Sequence, residues 1–183
     1  MRALIVYESM FGNTHAIADS IAKGFRPEDE VRVVAVAGAT REVVDWADLL
    51  VVGGPTHAHG LSREMTRKSA REAVAKPGSR LTMDPSAAGP GLRDWFQDVG
   101  PQYGRDAAMF DTRLDAPAMF TGHASKGIDH RLLQCGARIV TEAESFLVNR
   151  ENQLVAGELA RAQEWGASLA GLPVDVQGGV AAH

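Results

Sequence analysis

The chain has one cysteine, Cys135, among 183 residues. That excludes an intrachain disulfide and a Cys-rich metal centre, and it suits a reducing compartment. There is no excess of positive charge. The net charge of −4 gives no general pull toward nucleic acid or an anionic membrane surface. No apolar run approaches the ~20 residues that a membrane-spanning helix needs. Met1-Arg2 runs at once into Ala3–Tyr7, which is too short for a signal-peptide core and lacks a cleavage site. The expectation is a soluble, cytoplasmic protein with no nucleic-acid and no membrane partner. Internal repeats are absent as well, so a solenoid or array is not expected.

What the chain does contain is enough apolar sequence, 45% of its residues, for one α/β domain with a full core. Continuous apolar runs mark strands buried on both faces, as in parallel sheets covered by helices. Ala3–Tyr7, Val31–Val36, Leu49–Val52 and Ala107–Phe110 are such runs, and Arg138–Val140 resumes as Ser145–Val148 after the polar break Thr141–Glu144. Helical spacing of apolar residues appears over Asn13–Phe25, Val43–Ala47, Ser62–Ala75, Leu92–Val99, Ser125–Cys135 and Leu154–Leu169. Alternating strands and helices predict a parallel sheet with right-handed crossovers. One domain is expected over residues 1–172, with 61–106 an elaborated connection and 173–183 a loosely ordered tail.

The first strand runs directly into Glu8-Ser9-Met10-Phe11-Gly12-Asn13-Thr14, where a helix begins. A phosphate at such a junction meets backbone N–H groups without intrahelical partners, at the positive end of the helix dipole. Ser9, Asn13 and Thr14 add side-chain donors, and Gly12 lets the backbone approach closely. With no Lys or Arg in the loop, neutral donors alone would hold the charge. The plainer alternative is an ordinary capped βα turn.

At Ser9-Met10-Phe11-Gly12-Asn13-Thr14 the sequence resembles the flavodoxin family, whose first loop reads Ser/Thr-x-x-Gly-Asn-Thr. The resemblance continues through Asp48–Thr56, Gly136–Val140 and the last helix, and it is weakest over Leu61–Asp106. It implies a flavodoxin-like doubly wound, five-stranded parallel sheet of order 2-1-3-4-5, with helices on both faces. It further implies flavin mononucleotide (FMN) in the crevice beyond the C-terminal ends of strands one and three. Ser9, Met10, Phe11, Gly12, Asn13 and Thr14 would hold the phosphate. Pro55, Thr56, His57, Ala58, His59 and Gly60 on one side, with Asp111, Thr112 and Arg113 on the other, would hold the isoalloxazine ring. In flavodoxins a flexible peptide in the first ring loop can turn its carbonyl toward flavin N5, favouring the one-electron-reduced state. Gly60 matches that role, though it lies later in its loop than in many flavodoxins.

The ring loops depart from the family. Flavodoxins usually sandwich the ring between a Trp and a Tyr. Here the first loop offers His57 and His59, and the second offers Phe120. Each lost aromatic pair removes about 0.5–1.5 kcal/mol of stacking, and Arg113 near the ring would stabilise its anionic reduced form, unless it pairs instead with Asp111 or Asp115. His57-x-His59 lacks the further ligands of a zinc site. Either histidine is a candidate proton donor, and His123 lies before the fifth predicted helix. Cys135 reads as a packing residue. Arg63, Arg67 and Arg71, with Lys68 and Lys76, give a basic helix that is either a solvated face or a docking patch for an acidic partner or nucleotide phosphates.

Two functions fit this reading. One is an electron carrier served by a reductase and an acceptor protein. The other is an NAD(P)H-dependent reductase of quinones or flavins, whose acceptor would use the space left by the missing aromatics. A descendant without flavin is disfavoured by the intact Ser9–Thr14 loop. A phosphorylated receiver domain is disfavoured because Tyr7-Glu8-Ser9 ends the first strand without a carboxylate cluster.

Overall fold

The computed structural model of the chain describes residues 1–57 and 60–174, with the backbone alone for Ala118 and Phe120. In chain order the elements are β1 (Arg2–Tyr7), α1 (Asn13–Lys23), β2 (Glu30–Ala35), α2 (Arg41–Asp45) and β3 (Leu49–Pro55). They continue with α3 (Glu64–Ala75), α4 (Leu92–Asp98), β4 (Asp106–Leu114), the single turn α5 (Ala118–Thr121) and α6 (Ala124–Gln134). The last are β5 (Arg138–Ile139), β6 (Glu144–Val148) and α7 (Glu158–Ala170).

The strands form one parallel sheet in the order β2-β1-β3-β4-β5, with β6 also paired to β4. The expected doubly wound order is therefore present, and its fifth position is shared by two collinear pieces. Ala107 pairs with Ile139 and Phe110 pairs with Glu144. Four residues, 140–143, thus stand opposite two, 108 and 109, and the polar insertion Thr141–Ala143 interrupts the ladder.

Alternation along β1 divides the core. Leu4 and Val6 face a layer that includes Val44, Leu92, Trp95, Phe96, Ile128 and Leu132, contributed by α2, α4 and α6. Ala3, Ile5 and Tyr7 face the other layer, built on Ile17, Ile21, Phe110, Phe146 and Leu169 from α1, β4, β6 and α7. Helices cover both sides, so every central strand is buried on two faces and reads as a continuous apolar run. Two of these helices approach to backbone contact: a Cβ on Gly166 of α7 would fall well inside contact distance of the Ile21 carbonyl oxygen of α1.

Two elements differ from their sequence patterns. β4 runs on through Asp111–Leu114, residues whose polarity reads as loop. Their backbone groups are claimed by β6 on one side and by Gly54 and Pro55 of β3 on the other. The last helix begins at Glu158 rather than Leu154, because Leu154 closes a tight antiparallel bridge with Val148 and Gly157 takes a positive φ of 89°. The connection 61–106 packs into the body of the domain: Trp95 Nε1 donates to the Ala39 carbonyl at 2.7 Å, and the Asp84 N–H donates to the Met10 carbonyl at 2.8 Å. Among the described residues no helix is long and apolar enough to cross a membrane.

Candidate functional site

β1 ends at Tyr7, and the chain must reverse into α1 within five residues. Gly12 makes this possible with φ 90°, a left-handed conformation that side chains resist. Its N–H donates to Ser9 Oγ at 3.1 Å, so the serine closes the turn and keeps its own O–H to offer. No side chain caps α1, and the first intrahelical bond runs from the Ala16 N–H to the Gly12 carbonyl at 2.9 Å. The N–H groups of Asn13, Thr14 and His15 therefore precede the ladder, at the positive end of the helix dipole.

This turn forms one wall of a cleft of about 280 Å³ beyond the C-terminal ends of β1, β3 and β4. The cleft gathers Ser9, Met10, Phe11, Asn13 and Thr14 from the first loop, Pro55, Thr56 and His57 from the second, and Thr112 and Arg113 from the third. Three segments far apart in sequence thus meet at one place. Thr14 and Thr112 join across the floor, Oγ1 to Oγ1 at 2.8 Å. Two side-chain nitrogens at the cleft are buried with no hydrogen-bond partner among the described residues: Nε2 of His57 and Nε of Arg113. Burial pushes the His57 pKa below that of a free imidazole, because it penalises the charged form.

The comparisons with known proteins agree with this fold. The model of the Flavodoxin domain family matches residues 4–76. A curated flavodoxin from Aquifex aeolicus is 41% identical over 68 residues, a stretch spanning 36% of this chain and 37% of that protein. Among solved structures, oxidised flavodoxin 1 from Bacillus cereus superposes with a TM-score of 0.65 at 19% identity, covering 93% of this chain and 98% of the other. Flavodoxin 2 of the same organism gives 0.64 at 21% identity, covering 93% and 99%. The fold is flavodoxin-like. The family-model match lies within β1–α3, and the fold likeness extends over nearly the whole chain.

Against that flavodoxin-like frame, several expected residues sit elsewhere. Asp111 is fully buried on the α6 side of β4, where Oδ2 accepts the Ser125 N–H at 2.8 Å. It caps α6 and does not line the cleft, because strand alternation points Asp111 and Thr112 to opposite faces. Gly60 faces a separate groove and exchanges both backbone hydrogen bonds with His57, at 2.8 and 3.0 Å. Its carbonyl is thereby engaged in a local bridge. Ala58 and His59 lie outside the described residues, as do the Phe120 side chain and residues 175–183 of the expected tail. Arg113 pairs with neither Asp111 nor Asp115; its guanidinium donates to the Ala116 carbonyl at 2.9 Å. Asn13 does not hold its amide free either, since Nδ2 donates to the Asn152 carbonyl at 2.9 Å.

That last contact exposes what the sequence pattern missed. The β6–α7 turn contributes Val148, Asn149, Arg150 and Asn152 to the cleft. Arg150 brings a cation to the cleft although the Ser9–Thr14 loop has none. Asn152 adopts φ 59°, the one left-handed non-glycine among the described residues. An Asn at a short turn after a strand is the available signal, but nothing in it points toward a loop 140 residues earlier.

Two cations of the basic helix α3 have carboxylate partners, one of them on α4. Arg67 pairs with Asp94 at 3.1 Å and reaches Ser62 Oγ, and Lys68 lies 3.9 Å from Glu72. Cys135 is half-buried against the α2/α4/α6 layer, and burial pushes its thiol pKa up. A raised pKa disfavours the reactive thiolate, in keeping with a packing role.

Proposed function

We propose that the protein binds FMN in this cleft and works as an electron carrier between a reductase and an acceptor protein. The observation that carries the reading is the uncapped N-terminus of α1, which opens on a cleft holding two buried, unpartnered nitrogens. The donor set fits the cofactor. Asn13–His15 N–H groups and the Ser9 hydroxyl suit a phosphate, Arg150 adds a cation at the same cleft, and the buried His57 ring and the Arg113 cation suit a polar heterocycle. When bound, the flavin supplies one- or two-electron redox chemistry. The protein's part is to neutralise the phosphate, to fix the ring between the His57 and Arg113 loops, and to exclude water from its inner edge. The likeness to flavodoxins supports the carrier role.

The experiment is a fluorescence titration of FMN with the wild-type chain and with the double variant N13A/T14A. The variant is expected to bind at least tenfold more weakly. An unchanged dissociation constant would move the phosphate elsewhere, and a chain that is colourless after incubation with FMN and removal of the free flavin would remove the redox reading altogether. Anaerobic mixing of the loaded protein with NADPH then tests the carrier role. Bleaching only after a separate reductase is added supports it; direct bleaching would replace it with an NAD(P)H-dependent reductase.

A further inference from the structure

Behind the His57–Gly60 bridge lies a second groove, of about 650 Å³, between the β3–α3 loop, α4 and α6. Five of its ten lining residues are basic, Arg93, His123, Lys126, His130 and Arg131, and none is acidic. In a chain of net charge −4, that local excess is the opposite of the global trend. Among the described residues, Arg93, Lys126 and Arg131 form no ion pair with a carboxylate. Arg67, on the neighbouring helix α3, is paired with Asp94.

The groove is also arranged. Arg93 is fixed by its Nε bond to the Ser62 carbonyl at 3.0 Å. His123 is fixed through Nδ1, 3.1 Å from Ser145 Oγ and 3.9 Å from the buried Asp111 Oδ2, which leaves Nε2 for the groove. Burial and the like charges of Arg131 and Arg63 depress the Arg93 pKa. Glu8 and Asp94 pull the other way without cancelling the shift, so the cations still crowd one another. Residues 123 to 131 extend along roughly 12 Å of α6, the scale of two linked phosphates rather than one. Gly127 lies midway along that face.

We infer that this groove is a second anion site, separate from the flavin cleft, that binds the pyrophosphate of a small nucleotide through Arg93, His123, Lys126, His130 and Arg131. Concavity and the absence of large exposed apolar side chains in its lining favour a small ligand over a protein surface. Paired guanidinium groups are suited to phosphate oxygens. The site would let a nucleotide dock one loop away from the cleft.

Calorimetric titration of the FMN-loaded full chain with inorganic pyrophosphate at low ionic strength tests it. Loading keeps the α1 N-terminus out of the measurement; if the chain takes up no FMN, the same titration on N13A/T14A serves. Binding is expected to fall at least tenfold in R93Q/R131Q, and severalfold in K126Q/H130Q, which alters exposed side chains and guards against misfolding. K23Q/R26Q makes the same charge change on exposed residues at the end of α1, across the sheet, and is expected to leave binding unchanged. No binding by the wild type, equal loss in groove and control variants, or full binding by both groove variants would each overturn the proposal.

Discussion

Thr14 and Thr112 stand 98 residues apart and share a buried hydroxyl–hydroxyl hydrogen bond of 2.8 Å. It ties the first turn of α1 to the C-terminal half of β4, and so fixes the floor of the cleft before any ligand arrives. Replacing Thr112 with Val keeps the shape and leaves the Thr14 hydroxyl without its partner. A buried unsatisfied group costs about 1–3 kcal/mol. T112V is therefore expected to lower the free energy of unfolding by that amount, read as a lower urea midpoint at unchanged m-value, and T14V/T112V is expected to recover part of it. Equal stability of wild type and T112V would show that water satisfies Thr14.

Asn152 holds φ 59° while its carbonyl accepts from Asn13 Nδ2. A β-branched residue resists that conformation, and the strain is roughly 1–2 kcal/mol. N152V should thus be destabilised, whereas N152G should stay within about 0.5 kcal/mol of wild type. If the turn also steadies Asn13, N152V will weaken FMN binding severalfold and N152G will not. Thermal melts and FMN titrations of the two variants check both halves.

The His57 pKa lies below that of an ordinary imidazole because burial penalises its charged form. A depressed native pKa gives stability that is present above the unfolded value and lost as pH falls through the window below it. Stability should accordingly decline as pH drops below about 6.5, and H57Q should flatten that slope. Asp84 acts in a separate, more acidic window. Desolvation raises its pKa, but bonds from Ser86 and the charge of His15 outweigh it and leave the carboxyl below its ordinary 3.8. Chemical denaturation between pH 5 and 8 isolates the histidine. A slope unchanged in H57Q would assign it to another group.

Much of this arrangement was legible in the residues themselves, for physical reasons. β1, β3 and the start of β4 are buried on both faces, so their apolar runs admit little else. The Ser9–Thr14 turn needs Gly at 12 and polar donors beside it, and the sequence shows both. Asp111–Leu114 was illegible because those polar residues extend a strand through backbone pairing, which side-chain pattern does not report. The second anion groove was equally hidden, because its cations come from α4 and α6 and look unremarkable on either helix alone. Arg150 entered the cleft for the same reason: tertiary closure, rather than local spacing, put it there.

Gly166 and Ile21 set how closely α7 approaches α1. A Cβ at 166 would collide with the Ile21 carbonyl oxygen, and backbone cannot move aside as the tip of a flexible side chain can. Overpacking of this kind costs about 3 kcal/mol when relief requires a helix shift. G166A is expected to lose that much in a urea melt. FMN affinity should change little, because the contact lies on the α1–α7 crossing and not at the cleft. A loss under 1 kcal/mol would mean that the two helices separate easily.

Arg113 lines the cleft with its Nε buried and unpartnered, while one terminal nitrogen is anchored on the Ala116 carbonyl. A cation held there favours whichever flavin state carries more negative charge. With the effective dielectric of a partly exposed site, the preference is on the order of 1 kcal/mol, or a few tens of millivolts per electron. R113Q is expected to make the midpoint potential of bound FMN more negative by that amount, and R113K should fall between the two. FMN affinity in the oxidised state should change less than the potential does, because the oxidised ring is neutral. Spectroelectrochemical titration of the three proteins decides it. A potential that does not move in R113Q would show that the guanidinium serves only to brace the loop through Ala116.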